Sequence, residues 1–191
     1  MNSLNIMIVG VGGQGTILAS RVIGNAGLKA GYDVKVSEVH GMSQRGGSVV
    51  TYVKVGEKVF SPVIEKGEAD IVLAFEKLEA LRWAGYLRKN GRMVVNGQEI
   101  DPMPVVAGKA GYPQDIITRL KENINKVTAV DALKTAKECG NIKTLNMVLV
   151  GLMAPDTGIA EDIWMDALRE VIPQKLLNVN IKAFEAGYIL N

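Results

Sequence analysis

Two periods of apolar positions alternate along the chain. Residues 6–9 (Ile-Met-Ile-Val) form an unbroken apolar run, the pattern of a strand buried on both faces. A glycine-rich stretch follows at 10–15. Residues 16–30 then carry Leu18, Val22 and Ala26 at helical spacing, and Gly31 suits a helix stop. Residues 33–39 alternate, with Val34, Val36 and Val39 apolar, and predict a second strand before a polar, glycine-bearing loop at 40–47. Residues 48–55 are β-branched and extended. Gly56-Glu57 follows as a two-residue turn, and with 58–61 the pattern reads as a hairpin. Further on, 69–75 predicts another buried strand, 76–87 a helix, and Asn90-Gly91 a turn into a strand over 92–96. Pro102 and Pro104 mark a loop, Pro113 opens a helix over 114–124, and 126–130 predicts a short strand. The last third is helical. One stripe holds Ile163, Ala167 and Val171, another Leu177, Ile181, Phe184 and Tyr188, with Pro155 and Pro173 separating the helices.

This order predicts an α/β fold: a Rossmann-like, mostly parallel sheet with a β-hairpin insertion and a helical C-terminal third. No repeat, linker or low-complexity tract interrupts it, so residues 1–191 are expected to form a single domain. Two uncharged stretches raise the membrane question. Residues 4–20 contain four glycines with Asn5, Gln14, Thr16 and Ser20 and follow no basic segment, unlike a signal peptide or a spanning helix; 144–155 falls short of the roughly 20 apolar residues a bilayer requires. No membrane association is therefore expected.

Composition narrows the chemistry. With 22 Lys and Arg against 20 Asp and Glu, and no long run of either sign, nothing points to nucleic acid. A mean hydropathy of +0.14 fits a large aliphatic core with some subunit interface. Cys139 is the only cysteine, which excludes a disulfide framework and an iron–sulfur cluster held by this chain alone. His40 is the only histidine, so neither a histidine metal site nor a serine–histidine–aspartate triad is expected. The expected compartment is the cytoplasm.

The chemistry that remains is concentrated in two loops. Gly10, Gly12 and Gly15 fit G-x-G-x-x-G between a predicted strand and a predicted helix. The first glycine permits a tight turn, the second lets a phosphate approach the backbone, and the third lets helix pack on strand, with free N–H groups at the helix start. Gly13 bares more backbone and Gln14 adds a neutral donor and acceptor; a tight turn that binds nothing is the bland alternative. Glu38 stands where a dinucleotide-binding unit would place a ribose acceptor, and His40 shares its strand face if the extended geometry continues. The second loop, 43–48, sets Arg45 between Ser43 and the pair Gly46-Gly47, a fork beside freed backbone suited to a phosphate or carboxylate, or to a salt bridge with a partner chain. If the first two strands pair side by side, both loops emerge at one sheet edge. Against a nicotinamide dehydrogenase stand the hairpin in place of a crossover helix and the lack of any proton relay beyond His40.

The residues that carry these loops resemble a known family. The stretch 10–15 (Gly-Val-Gly-Gly-Gln-Gly), the run 37–48 (Ser-Glu-Val-His-Gly-Met-Ser-Gln-Arg-Gly-Gly-Ser) and Ser61-Pro62 are similar to the gamma-type subunit of 2-oxoacid:ferredoxin oxidoreductases. Within that group they most resemble the small (beta) subunit of indolepyruvate:ferredoxin oxidoreductase. Glu68-Ala69-Asp70, Phe75-Glu76, Glu79-Ala80, Val94-Val95-Asn96 and the stretch 146–154 agree, so the likeness covers most of the chain. It implies an accessory subunit, inactive alone, of a complex that oxidatively decarboxylates a 2-oxoacid to an acyl-coenzyme A and passes the electrons to ferredoxin. Thiamine diphosphate, magnesium and the iron–sulfur clusters are implied in a larger companion subunit, and coenzyme A as a further cofactor. The implied ligand surface is Gly10, Gly12, Gly13, Gln14, Gly15, Glu38, His40, Ser43, Arg45, Gly46 and Gly47, with no catalytic or metal-binding residue among them. Pyruvate, 2-oxoisovalerate and 2-oxoglutarate stay open as substrates beside an arylpyruvate, and a stand-alone nucleotide-binding protein stays open as an alternative.

Overall fold

The computed structural model describes residues 3–41 and 46–191. Six strands form one sheet: β1 (Ser3–Val11), β2 (Asp33–His40), β3 (Ser48–Gly56), β4 (Ala69–Ala74), β5 (Leu87–Asn96) and β6 (Lys126–Val130), in the order β2-β3-β1-β4-β5-β6. β1, β4, β5 and β6 run parallel, while β3 is antiparallel to both of its neighbours. The apolar runs occupy the middle of the sheet. Ile6 and Ile8 of β1 face one helical layer and Met7 and Val9 the other, which is why this strand shows no alternation. β2 lies at the edge, and its mixture of valines with charged residues suits one covered and one wet side.

The sheet is mostly parallel with a hairpin insertion, as expected, but the hairpin is made by different strands. β2 and β3 pair across the 41–47 connection, with Asp33 opposite Gly56 and His40 opposite Val49. Residues 58–61 form no strand. By the time the chain leaves Gly56, β3 has β1 on one side and β2 on the other, so it offers no free edge to a returning strand. Val59 instead gives its N–H to Asp33 Oδ2 at 2.9 Å, which fixes the departing chain against the start of β2.

Helices cover both faces. α1 (Thr16–Lys29), α5 (Ala132–Glu138), α6 (Leu145–Met153), α7 (Glu161–Val171) and α8 (Gln174–Ile189) pack on one side; α2 (Lys77–Trp83) and α4 (Ile116–Asn123) pack on the other, with the short α3 (Met103–Val106) in the connection before α4. α2 stops at Trp83, short of the expected 87, because the chain tightens into a 3-10 turn at Ala84–Tyr86 and β5 takes Leu87. In the C-terminal third the α8 stripe is as expected at Leu177 and Phe184, whereas Trp164 and Leu168, beside the expected Ala167, fill the buried face of α7. No helix among the described residues is long and apolar enough to cross a membrane.

α6 is apolar all round because it is covered all round: residues 146–153 are all buried, between the sheet and α8. Backbone meets backbone where these helices cross. A Cβ at Gly151 would fall 2.0 Å from the Phe184 carbonyl oxygen, and one at Gly187 would fall 2.0 Å from that of Val148. Trp164 packs on Phe184 beside this crossing, with ring centroids 5.8 Å apart. Gly187→Ala is therefore expected to cost about 3 kcal/mol or more by forcing α6 and α8 apart. Gly111→Ala, in open space, should change stability by no more than about 0.5 kcal/mol. Urea denaturation of the two variants checks the contrast.

Candidate functional site

The glycine loop follows β1 at the carboxyl edge of the parallel strands. Gln14 N–H closes a turn onto the Val11 carbonyl at 3.2 Å, and Gly13 and Gly15 take φ of +103° and +84°, which glycine adopts without strain. Gly12 N–H donates to the Gly47 carbonyl at 2.9 Å, carrying the β1–β3 ladder one step further. The two glycine-bearing loops are thus joined, although β3 lies between β1 and β2.

The glycines divide their work differently from the motif's usual assignment. A Cβ at Gly10 would lie 2.9 Å from Gln14 Oε1 and 3.0 Å from Phe75 Cβ, and one at Gly15 would lie 2.8 Å from Asn146 Nδ2. Gly10 and Gly15 therefore make room for neighbours, while a Cβ at Gly13 would meet nothing within 4 Å. Gln14 is a strut. Its Oε1 accepts the Val11 N–H at 2.8 Å; its Nε2 donates to the Phe75 carbonyl at 2.9 Å and to Gln98 Oε1 at 3.3 Å. Asn96 Nδ2 donates to the same Phe75 carbonyl at 3.1 Å, and Asn96 Oδ1 accepts the Ala132 N–H at 3.2 Å. In an open α/β sheet a ligand enters the crevice where strand order reverses. Here that crevice, between β1 and β4, holds the Gln14 carboxamide.

Two clefts flank the Gly12–Gly47 bond, one on each face of the sheet. The first, about 320 Å³, is lined by Gly12, Gly13, Thr16, Ile17, Glu38, His40 and Val49. α1 begins here with no side-chain cap and no acidic residue in its first turn; its first internal bond runs from Ala19 N–H to the Gly15 carbonyl. The N–H groups ahead of Ala19 and the positive end of the helix favour an anion. Glu38 reaches the cleft but not the ribose position of a dinucleotide site. One strand separates it from β1, a displacement of about 10 Å, and its Oε2 accepts from Thr51 Oγ1 at 3.2 Å. His40 faces the same cleft.

The second cleft, about 210 Å³, is lined by Gly46, Gly47 and Ser48 with two buried carboxylates absent from the sequence-based site, Glu76 and Glu79. Glu76 Oε2 accepts the Glu79 N–H at 2.9 Å and caps α2; its Oε1 accepts the Ile100 N–H at 3.3 Å and the Tyr112 hydroxyl. Glu79 accepts from Ser48 Oγ and from Trp83 Nε1 at 3.3 Å, and pairs with Arg82 at 3.4 Å. Burial, and then the hydrogen bond to Glu76, push the Tyr112 phenol well above its ordinary value, so it stays a donor. With donors on both carboxylates, the pair braces the loop and is not placed to abstract a proton. The spacing Glu-x-x-Glu directly after a buried strand was the available signal, but only the fold shows that both acids turn inward. Ser43 and Arg45 lie outside the described residues. Among the described residues no group of three or more His, Cys, Asp or Glu side chains could hold a metal ion.

A family model described as Pyruvate ferredoxin/flavodoxin oxidoreductase matches residues 5–190. The chain is 44% identical over 192 residues to the indolepyruvate oxidoreductase subunit IorB of Thermococcus kodakarensis, covering 98% of this chain and 95% of that protein. In fold it is similar to the gamma subunit of keto/oxoacid ferredoxin oxidoreductase from Geobacter sulfurreducens, with a TM-score of 0.73, 24% identity, and coverage of 97% and 96% of the two chains. It also resembles part of 2-oxoglutarate:ferredoxin oxidoreductase from Magnetococcus marinus, with a TM-score of 0.73 and 20% identity; the match takes in all of this chain and 31% of that one.

Two outcomes test the bracing. Gln14→Ala strands the Val11 N–H and is expected to cost about 1–3 kcal/mol, read by chemical denaturation. The Tyr112 phenol has a folded-state value raised above the ordinary 10, so its contribution is complete below pH 10 and is lost as pH rises beyond it. Wild type should therefore lose more stability than Tyr112→Phe between pH 9 and pH 11, measured by urea midpoints.

Proposed function

The chain belongs to the pyruvate ferredoxin/flavodoxin oxidoreductase family, and on that premise we propose that it is the small subunit of an indolepyruvate:ferredoxin oxidoreductase complex. The observation that carries this reading is the end-to-end 44% identity with an indolepyruvate oxidoreductase subunit. As a non-autonomous subunit it works with a larger partner in oxidatively decarboxylating an arylpyruvate to an acyl-coenzyme A. Loss of carbon dioxide leaves two electrons, which pass to ferredoxin. Residues 1–191 act as one gamma-type domain, in the cytoplasm.

Thiamine diphosphate, magnesium and the iron–sulfur clusters belong, in this reading, to the larger subunit. The residues here fit that division, since Cys139, the only thiol, is buried and a cluster needs about four ligands. Coenzyme A is the group this chain's own residues suit. The exposed backbone at Gly13, the uncapped start of α1 and the Arg45 guanidinium would meet its phosphates, with Gly12 tying the two loops together through Gly47. Gly10, Gln14 and Gly15 hold the loop in shape, and Glu38, His40, Ser43, Gly46 and Gly47 border the approach. None of these residues serves as nucleophile or general base.

Co-purification from the native organism, followed by 2-oxoacid-dependent dye reduction, tests the assignment. Arylpyruvates are expected to outpace pyruvate, 2-oxoisovalerate and 2-oxoglutarate, with no activity from the isolated chain; turnover by that chain alone would overturn it. Arg45→Ala should leave the complex intact and raise the KM for coenzyme A about tenfold, the weight of one charge-assisted hydrogen bond. Loss of assembly with an unchanged KM would make this loop a docking element instead.

A further inference from the structure

The largest departure from regular sheet geometry lies at the other end of the parallel strands. Between β4 and β5 the register runs from Ala69 opposite Leu87 to Ile71 opposite Arg92, so two steps along β4 match five along β5. The surplus is taken up at residues 88–91, where Asn90 adopts a φ of +65°, a left-handed conformation costly for a residue with a side chain. Gly91 is buried at the foot of this bulge, where a Cβ would lie 2.8 Å from Leu87 Cδ1. The bulge and the C-terminal half of α4 together enclose a cavity of about 460 Å³. β4 is six residues long, so this cavity opens about 20 Å from the glycine loop.

Its lining has one sign of charge. Three cations, Arg88, Lys89 and Arg119, border it with the amides of Asn90, Asn123 and Asn125, and no carboxylate lines it. Arg88 is committed, its Nε 2.7 Å from Asp70 Oδ1, while the other oxygen of that carboxylate accepts the Asn5 N–H at 2.6 Å. Lys89 and Arg119 have no ion-pair partner among the described residues; Glu122, one turn from Arg119 on α4, does not pair with it. Below this rim lie Leu81, Leu87, Leu120 and Ile124, with Leu120 almost fully buried. An apolar floor beneath unneutralised cations, in a volume typical of small-molecule sites, is complementary to an acid group attached to an apolar body. Neither half suits a bare inorganic anion or a neutral molecule as well.

We propose that this cavity is a second binding site, for a small organic anion with an apolar body, in which Lys89 and Arg119 meet the acid group and the leucine floor takes the body. The site is independent of the coenzyme A assignment, because it shares no residue with the glycine loop.

Indole-3-acetate, a planar apolar body bearing one carboxylate, serves as the probe, titrated into the full chain with backbone amide shifts recorded by NMR. Saturable shifts are expected at Gly91, Asn123 and Ile124. Lys89→Ala and Arg119→Ala, both of exposed side chains, should each weaken binding at least fivefold. Indole-3-acetamide, which lacks the charge, should bind at least tenfold more weakly, and inorganic phosphate should produce no saturable shift there. Unchanged affinity in both variants, shifts confined to residues 12–17 and 38–49, or no saturable binding would overturn the proposal.

Discussion

The Gln14 carboxamide spans the gap between the ends of β1 and β4, and the carboxyl edge of the sheet takes its shape from that span. One side chain satisfies the last N–H of β1 and donates to the carbonyl that follows β4, a carbonyl that Asn96 of β5 also reaches. Gly10 has no side chain because this amide and Phe75 occupy the space. Asn96 and Gln98 continue the same network toward β5 and β6. The crevice in which an open α/β sheet ordinarily receives a dinucleotide is thereby closed by the protein itself. What stays open is the outer side of the loop, at Gly13 and the start of α1.

Inserting β3 antiparallel between β1 and β2 is the second constraint. It moves Glu38 one strand away from β1 and brings Gly47 against Gly12, so the loop carrying Arg45 is anchored to the glycine loop by a backbone bond. The opposite side of that anchor is held by Glu79 through Ser48. The Glu79 N–H is held by the Glu76 cap, and Glu76 is held in turn by the Tyr112 hydroxyl. Buried carboxylates of this kind are tolerated because nearby donors offset their desolvation. The consequence is a frame of hydrogen bonds on both sides of the Gly12–Gly47 bond, from Gln14 on one side and from Glu79 on the other.

Much of this was legible along the chain. The unbroken apolar run at 6–9 and the largely apolar stretch 69–75, broken only by Asp70, predict central strands because a strand covered on both faces has little polar side, and the two C-terminal stripes predict helices because their period is helical. The glycine loop was legible for the same reason, flanked by a strand and a helix. Hairpin partners were not. Gly56-Glu57 is good turn chemistry in isolation, and only the occupancy of both β3 edges by β1 and β2 denies 58–61 a place. Glu76 and Glu79 were visible as letters, but nothing local says that both acids turn inward to meet Tyr112 and Ser48.

The sequence by itself determined the period of each element, the isolation of one thiol and one imidazole, and a phosphate-friendly turn, since these depend on neighbours within a few residues. Only the tertiary structure decided which edge β3 occupies, which face each acid turns to, and that Gln14 fills the crevice. Those outcomes depend on contacts such as Gln14 with Phe75 and Ser48 with Glu79, 61 and 31 residues apart. Such distant pairs leave no local pattern, because whether they meet is settled by the packing of the whole sheet.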